Sequence, residues 1–319
     1  MNSDKPTEHY VTLFDSHYLP QGLCLYRSLE EHGRPFHLWI VAVDEACATA
    51  LGKLQLGQAT VVRLQEVEND ALRSVKPDRS VAEYCWTLTP FLPSYVFSRR
   101  LDIERVTYID ADLFFFQSPV MLIDEFLASG KHVLMTEHAF APEREADLRY
   151  GRFCVQFMTF RNSEPARGIL ADWQQRCVAW CYAREEDGKF GDQKYLDDWP
   201  RDYPSDVHIL TRTDRTLAPW NVAYFSRVDG TARPTFFHFQ SLKIVSKRKV
   251  VLYFMYRIGR RNRWIYDCYL SALRSAIREM QSRDIPLVAR PKFTGWRRKT
   301  RYAWEWLFGR AASASLERR

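Results

Sequence analysis

Tyr108-Ile109-Asp110-Ala111-Asp112-Leu113-Phe114-Phe115-Phe116 places two carboxylates two residues apart between apolar runs. Such a pair cannot be buried uncompensated at a tolerable cost. It caps backbone amides in a turn, or it leaves a strand end for a cleft and sits on a cation. Hard divalent ions such as Mn²⁺ and Mg²⁺ take carboxylate oxygens and keep positions open for substrate phosphates. A bare D-x-D is common; a strand before it and an aromatic run after it make this one a metal-site candidate.

Outward from this stretch, strand and helix alternate. HYVTLFD (9–15) and HLWIVAVD (37–44) read as buried strands, and ATVVRLQEV as a third. LCLYRSLEEHG (23–33) has helical spacing and a glycine stop, and AEYCWTLTPFLPSYVFSRR reads as helical around its prolines. The pattern predicts an α/β fold, a mainly parallel sheet covered by helices on both faces. Ligands of such sheets gather at the carboxyl ends of strands, where this chain carries Asp15, Asp44 and the Asp110/Asp112 pair. Neither G-x-G-x-x-G nor a P-loop is present, so any phosphate handled here is expected to be handled through a metal.

Further along, HVLMTEH and FCVQFMTF read as strands and RGILADWQQRCVAWCYARE as a helix. His238, in TFFHFQSLK (235–243), is either a core histidine or a third ligand for the aspartates, with Lys243 then in reach of a phosphate as a point charge. Gly191-Asp192-Gln193 is ordinary turn chemistry unless Phe190, Tyr195 and Trp199 fix its polar pair against a cleft.

The chain of 319 residues is 46% apolar and 27% charged, which excludes disorder and a disulfide mini-scaffold. Its seven cysteines show no zinc spacing and read as reduced cytosolic thiols. No secretory signal is expected from MNSDKPTEHYVTLF, and no apolar run is long enough to span a bilayer. The net charge of +7 is unevenly spread: from Lys243 onward there are 20 Lys/Arg against 5 Asp/Glu, so the remainder is net acidic. This basic quarter includes Trp264, Trp296, Trp304 and Trp306 and an amphipathic stretch, 264–280, before a tail, ASASLERR, that reads as frayed. A solvated face, nucleic-acid binding and an anionic membrane surface all fit it. The tryptophans favour the membrane, and no nucleic acid is expected.

In order and spacing, VTLFDSHYLPQGLCLYRSLEEHG, TLTPFLPSYVF, YIDADLFFF, FGDQKYLDDW, LAPWNVAYF and HFQSLK together resemble the GT-A-fold glycosyltransferases, in particular bacterial relatives of glycosyltransferase family 8. The resemblance runs from about Tyr10 to Lys243. It implies a GT-A catalytic domain over 1–244, with 245–319 a basic, aromatic, helical extension for membrane or acceptor binding. It implies Mn²⁺ or Mg²⁺ on Asp110, Asp112 and His238, and a nucleotide-sugar donor contacted by Phe14, Asp15, Tyr18, Asp110 and Lys243. It places Asp192 and Gln193 under the transferred sugar as catalytic residues of a retaining enzyme. The implied reaction moves a sugar, from UDP-sugar above all, to a saccharide or lipid-linked acceptor in cell-surface polysaccharide synthesis. The implied location is the cytoplasm, peripheral on the cytoplasmic face of the membrane. The chain departs from the family's closing motif H-x-x-G-x-x-K-P-W by Ser241 for glycine, a lysine one position early, and no Pro-Trp. Thr89 stands where relatives often carry lysine, and GRFCVQFMTF lacks the usual Asn-x-Gly. Two rivals remain: a metal-dependent nucleotidyltransferase, for which DSHYLPQG is a poor phosphate loop, and a non-catalytic nucleic-acid-binding protein.

Overall fold

The computed structural model describes residues 6–228, 230, 232–290 and 296–317, with only the backbone described at 296–300 and 303. In chain order the strands are β1 (Glu8–Phe14), β2 (Phe36–Ala42), β3 (Ala59–Arg63), β4 (Arg105–Ile109), β5 (Leu113–Phe115), β6 (Val133–Glu137), β7 (Phe153–Arg161) and β8 (Val207–Ile209). They continue with β9 (Thr216–Leu217), β10 (Phe236–His238), β11 (Lys243–Ser246), β12 (Lys249–Phe254) and β13 (Ala311–Ser315). The main sheet has the order β3-β2-β1-β4-β7-β6-β8. β3, β2, β1 and β4 run parallel, β7 is antiparallel to β4 and β6, and β8 is parallel to β6.

The central strands are apolar without alternation because both faces are covered. One side packs Tyr10, Ile40 and Ile109 against the helices Leu19–His32, Glu45–Leu54 and Arg263–Ser282. The other packs Val11, Val41 and Val106 against Val81–Leu88, Phe91–Arg99 and Glu164–Ala179. β1 and its following helix approach so closely at Gly22 that an added Cβ would lie 2.5 Å from the Phe14 ring.

Two smaller sheets flank the main one. β10 pairs antiparallel with β5 and parallel with β9. β12 lies between β11 and β13.

Several elements differ from the sequence reading. ATVVRLQEV is strand only to Arg63; a helical turn, Leu64–Val67, follows, closed by Glu66 accepting from the Arg63 backbone N–H at 2.9 Å. TLTPFLPS divides into two helices, because Pro93 is accommodated in the first turn of a helix that starts at Phe91. The tail read as frayed is β13, whose Ala311–Ser315 pairs antiparallel with β12.

The amphipathic stretch is the helix Arg263–Ser282, but its apolar face is not presented to solvent. Ile265, Tyr266, Tyr269, Leu273, Ile277 and Met280 are buried in the core that holds β1. Tyr269 stacks on Phe239 at 3.7 Å between centroids, and Trp264 meets Phe116 edge-on at 5.3 Å. That face is core and cannot insert into a bilayer. The sequence-based boundary at 244/245 falls within β11.

Candidate active site

β4 ends at Ile109, and the chain turns through Asp110-Ala111-Asp112 with the Leu113 N–H donating to the Asp110 carbonyl at 3.2 Å. β5 then leaves the main sheet for β10, whose antiparallel register sets His238 opposite Leu113. The Phe239 N–H donates to the Asp112 carbonyl at 2.9 Å and locks the corner. Sheet exchange after β4 therefore brings a histidine from far along the chain to the two carboxylates.

His238 Nε2 lies 3.1 Å from Asp112 Oδ1 and 3.7 Å from Asp110 Oδ2. One ligand atom from each of the three side chains falls within 4.8 Å of the others. His238 Nδ1 is 2.8 Å from Gln156 Oε1 in β7, an acceptor that keeps the proton on Nδ1 and turns the Nε2 lone pair toward the aspartates. Asp110 Oδ1 accepts from the Tyr108 hydroxyl at 2.8 Å. A hard/borderline donor set with a pinned imidazole tautomer fits a divalent cation.

The three groups also perturb one another, and a cation would have to displace the proton shared between His238 and Asp112. Burial raises the Asp110 carboxyl above its ordinary value, the Asp112 charge adds to this, and His238 opposes it. Burial would lower His238, yet the adjacent Asp112 carboxylate holds it well above its ordinary value.

The cluster has an aromatic wall. Trp220 meets His238 edge-on at 5.4 Å and His138 at 5.2 Å, and its Nε1 donates to the His138 carbonyl at 2.6 Å. Asn221 Nδ2 donates to the same carbonyl at 3.0 Å. These contacts account for the Trp-Asn of LAPWNVAYF. Cys154 is buried between His138 and His238.

Of the other residues singled out from sequence, Tyr18 and Asp192 lie beside the cluster. Tyr18 lies within the fields of Asp112, Asp15 and Asp110. Asp15 Oδ1 accepts from the backbone N–H groups of His17 and Tyr18 at 3.0 and 3.1 Å, so that oxygen shapes the loop after β1. Asp44 likewise caps the helix Glu45–Leu54 and accepts from Ser16. Asp192 is buried; desolvation and then the Asp110 charge push its carboxyl well above the usual range. Thr89 lies beside Asp192 and Tyr108, and its hydroxyl donates to the Cys85 carbonyl at 3.1 Å. Gln193 is half-buried, and its Nε2 donates to the Tyr150 carbonyl at 2.9 Å. Lys243 is half-buried at the start of β11.

Phe14 stands apart. Its ring is 2% exposed and occupies the space over Gly22, so its side chain packs β1 onto the helix. Its carbonyl accepts from Val43 at 3.0 Å. Gln156, His138, Trp220 and Asn221 are site residues to which sequence reasoning gave no role. All four lay in quoted segments, His138 in HVLMTEH, Gln156 in FCVQFMTF, and Trp220 and Asn221 in LAPWNVAYF, but as strand or family landmarks only.

The sheet order, the D-x-D corner after the fourth strand and the returning histidine strand define the GT-A fold. Solved structures with this fold include the galactosyltransferase LgtC in complex with donor and acceptor sugar analogs, at TM-score 0.50 and 13% identity over 91% of this chain and 99% of LgtC. They also include the bifunctional glycosyltransferase WbbM, at TM-score 0.53 and 14% identity over 90% of this chain and 53% of WbbM. By sequence the chain is similar to two uncharacterised proteins of Bacillus subtilis (strain 168). YfnD is 29% identical over 86% of this chain and 92% of its own length, and YfnF 29% over 92% and 98%. No protein-family model matches the chain.

Proposed function

We propose that the protein is a metal-dependent glycosyltransferase that moves a sugar from a nucleoside-diphosphate donor, UDP above all, to a saccharide or lipid-linked saccharide acceptor. The observation that carries this reading is the Asp110/Asp112/His238 cluster, with its three ligand atoms within 4.8 Å, at the carboxyl end of β4. Asp110, Asp112 and His238 would hold Mn²⁺ or Mg²⁺. Such an ion supplies Lewis-acid neutralisation of the charge that grows on the leaving phosphate.

The chain's own groups divide the remaining work. Tyr18 and the Asp15 turn form the wall at the end of β1 that faces the donor nucleotide. Lys243 adds positive charge for the phosphates. Asp192, which feels the Asp110 charge, and its neighbour Gln193 would face the transferred sugar. The Gln193 Nε2–H donates a hydrogen bond to the Tyr150 backbone carbonyl, which leaves the Gln193 Oε1 to stabilise an oxocarbenium-like anomeric carbon. Retention of configuration belongs to the same proposal.

The acceptor class follows from the surface of the C-terminal segment. Trp304, Trp306, Leu307 and Phe308 are all more than half exposed, in a part of the sequence with a large excess of Lys/Arg. Among the described residues no helix is long and apolar enough to cross a membrane. We read this cluster as docking the enzyme on the anionic cytoplasmic face of a membrane, where polysaccharide precursors carried on lipid would be met.

A panel of nucleotide sugars incubated with Mn²⁺ and scored for donor hydrolysis tests the reading. Release of the nucleoside diphosphate from at least one donor, abolished by a chelator, is expected. Release of pyrophosphate on supplying a nucleoside triphosphate and a sugar phosphate would favour the nucleotidyltransferase instead.

A further inference from the structure

We propose that Arg290, from the basic C-terminal segment, is a donor-binding residue that grips the diphosphate of the nucleotide beside Lys243. This rests on the glycosyltransferase reading and extends it to a residue outside the stretch where the family resemblance lies.

The geometry is specific. The Arg290 guanidinium carbon lies 4.1 Å from the centroid of the Tyr18 ring, a cation–π stack at the wall of the candidate nucleotide cleft. The Arg290 backbone N–H donates to the Ile244 carbonyl at 2.8 Å, which fixes the residue next to β11 and one position from Lys243. The segment leading to it is anchored by Ile285, 3% exposed in the core, with Leu287 and Ala289 packed on the same cluster. Arg290 is therefore delivered to the cleft by packed chain.

Its charge acts where the donor would sit. Arg290 opposes the upward shift that burial, Asp112, Asp15 and Asp110 impose on Tyr18. It also opposes the shift of the Cys85 thiol, which burial and then Asp15 push up to about 12. The half-buried guanidinium thus sits on the Tyr18 ring, which also lies in the fields of Asp112, Asp15 and Asp110, and among the described residues it forms no ion pair. The guanidinium carbon lies 4.1 Å over the Tyr18 ring, a contact that fixes its place while its N–H donors can serve a ligand. A planar fork of donors beside a divalent-cation site suits a diphosphate. The closing stretch HFQSLK carries its lysine one position early and lacks the Pro-Trp of the motif it resembles. Arg290 supplies a second cation at that place.

The test uses the full-length protein and titrates UDP, GDP and ADP calorimetrically in the presence of Mn²⁺. Wild-type protein that binds none of the three sinks the functional reading itself, before any variant is made. With a bound diphosphate in hand, Arg290→Gln is expected to weaken it by about tenfold or more. Its melting temperature and its Mn²⁺ affinity without nucleotide should stay as in wild type, and Arg290→Lys should recover part of the loss. Unchanged diphosphate affinity in Arg290→Gln overturns the proposal. So does a fall in melting temperature or Mn²⁺ affinity that tracks the nucleotide loss, because Arg290 would then only support the Tyr18 wall.

Discussion

Gln156 decides what His238 can do. With Gln156 Oε1 accepting from Nδ1, the imidazole is held in the tautomer and the rotation that ligation requires. Gln156 is fully buried in β7, and its own Nε2 finds no partner among the described residues. An unsatisfied buried amide costs about 1–3 kcal/mol, which a purely structural strand residue would not be expected to bear. Gln156→Ala is therefore predicted to lower Mn²⁺ affinity by about 10–100-fold with a smaller effect on folding; calorimetric Mn²⁺ titration reads this, and an unchanged isotherm would make Gln156 a spectator. The residue also marks the limit of sequence reading. Asp110 and Asp112 were legible because carboxylates between apolar runs demand a partner. A lone glutamine in FCVQFMTF carries no spacing signal. Its partner is set by the register of β4 on β7, where the Asp110 N–H donates to the Gln156 carbonyl at 3.0 Å.

At the scale of elements, the candidate cleft depends on how tightly β1 meets the helix Leu19–His32. Phe14 fills the space over Gly22, so Gly22→Ala must displace the ring or the helix. Overpacking of this kind costs about 1–3 kcal/mol, and denaturant unfolding should show it as a lower midpoint at constant slope. No loss of stability would mean that the helix has room to shift. The helix Arg263–Ser282 carries the same lesson from the other side. Periodicity revealed its amphipathic character, but periodicity cannot say whether an apolar face meets lipid or protein. Tyr269, fully buried against Phe239 and Phe114, answers it: the face closes over the sheet that carries His238. Tyr269→Ala is predicted to destabilise the protein by about 3–5 kcal/mol, the range for large aromatic truncations in a core. A loss under 1 kcal/mol by the same unfolding assay would contradict that packing role. β13 was misread because Ala-Ala-Ser-Ala-Ser has no β-branched or aromatic residue, only small side chains; pairing with β12 overrides its weak propensity.

For the whole molecule, the charge is uneven, with a net acidic body that contains the candidate cation site and a basic C-terminal segment. With the 263–282 face withdrawn into the core, the proposed membrane docking would rest on the exposed tip. Replacing Trp304, Leu307 and Phe308 together by serine is predicted to reduce co-sedimentation with acidic vesicles several-fold while leaving donor hydrolysis in solution intact. Wild-type binding should weaken as salt rises, since exposed charges are screened over about 8 Å at physiological ionic strength. Equal retention on neutral and acidic vesicles would remove the docking assignment. The fold itself was legible at this scale because the βα alternation up to Phe116 is unbroken, whereas the closing strand β10 and the helix over it were legible only as isolated segments. The central claim is that Asp110, Asp112 and His238 serve a cation that serves the donor. The most direct test is nucleoside-diphosphate release from a nucleotide sugar with added Mn²⁺, compared between wild type and Asp112→Asn. The prediction is turnover that stops on chelation and falls by at least about 100-fold in Asp112→Asn, at an unchanged melting temperature; turnover indifferent to the chelator, or near wild type in Asp112→Asn, would contradict it.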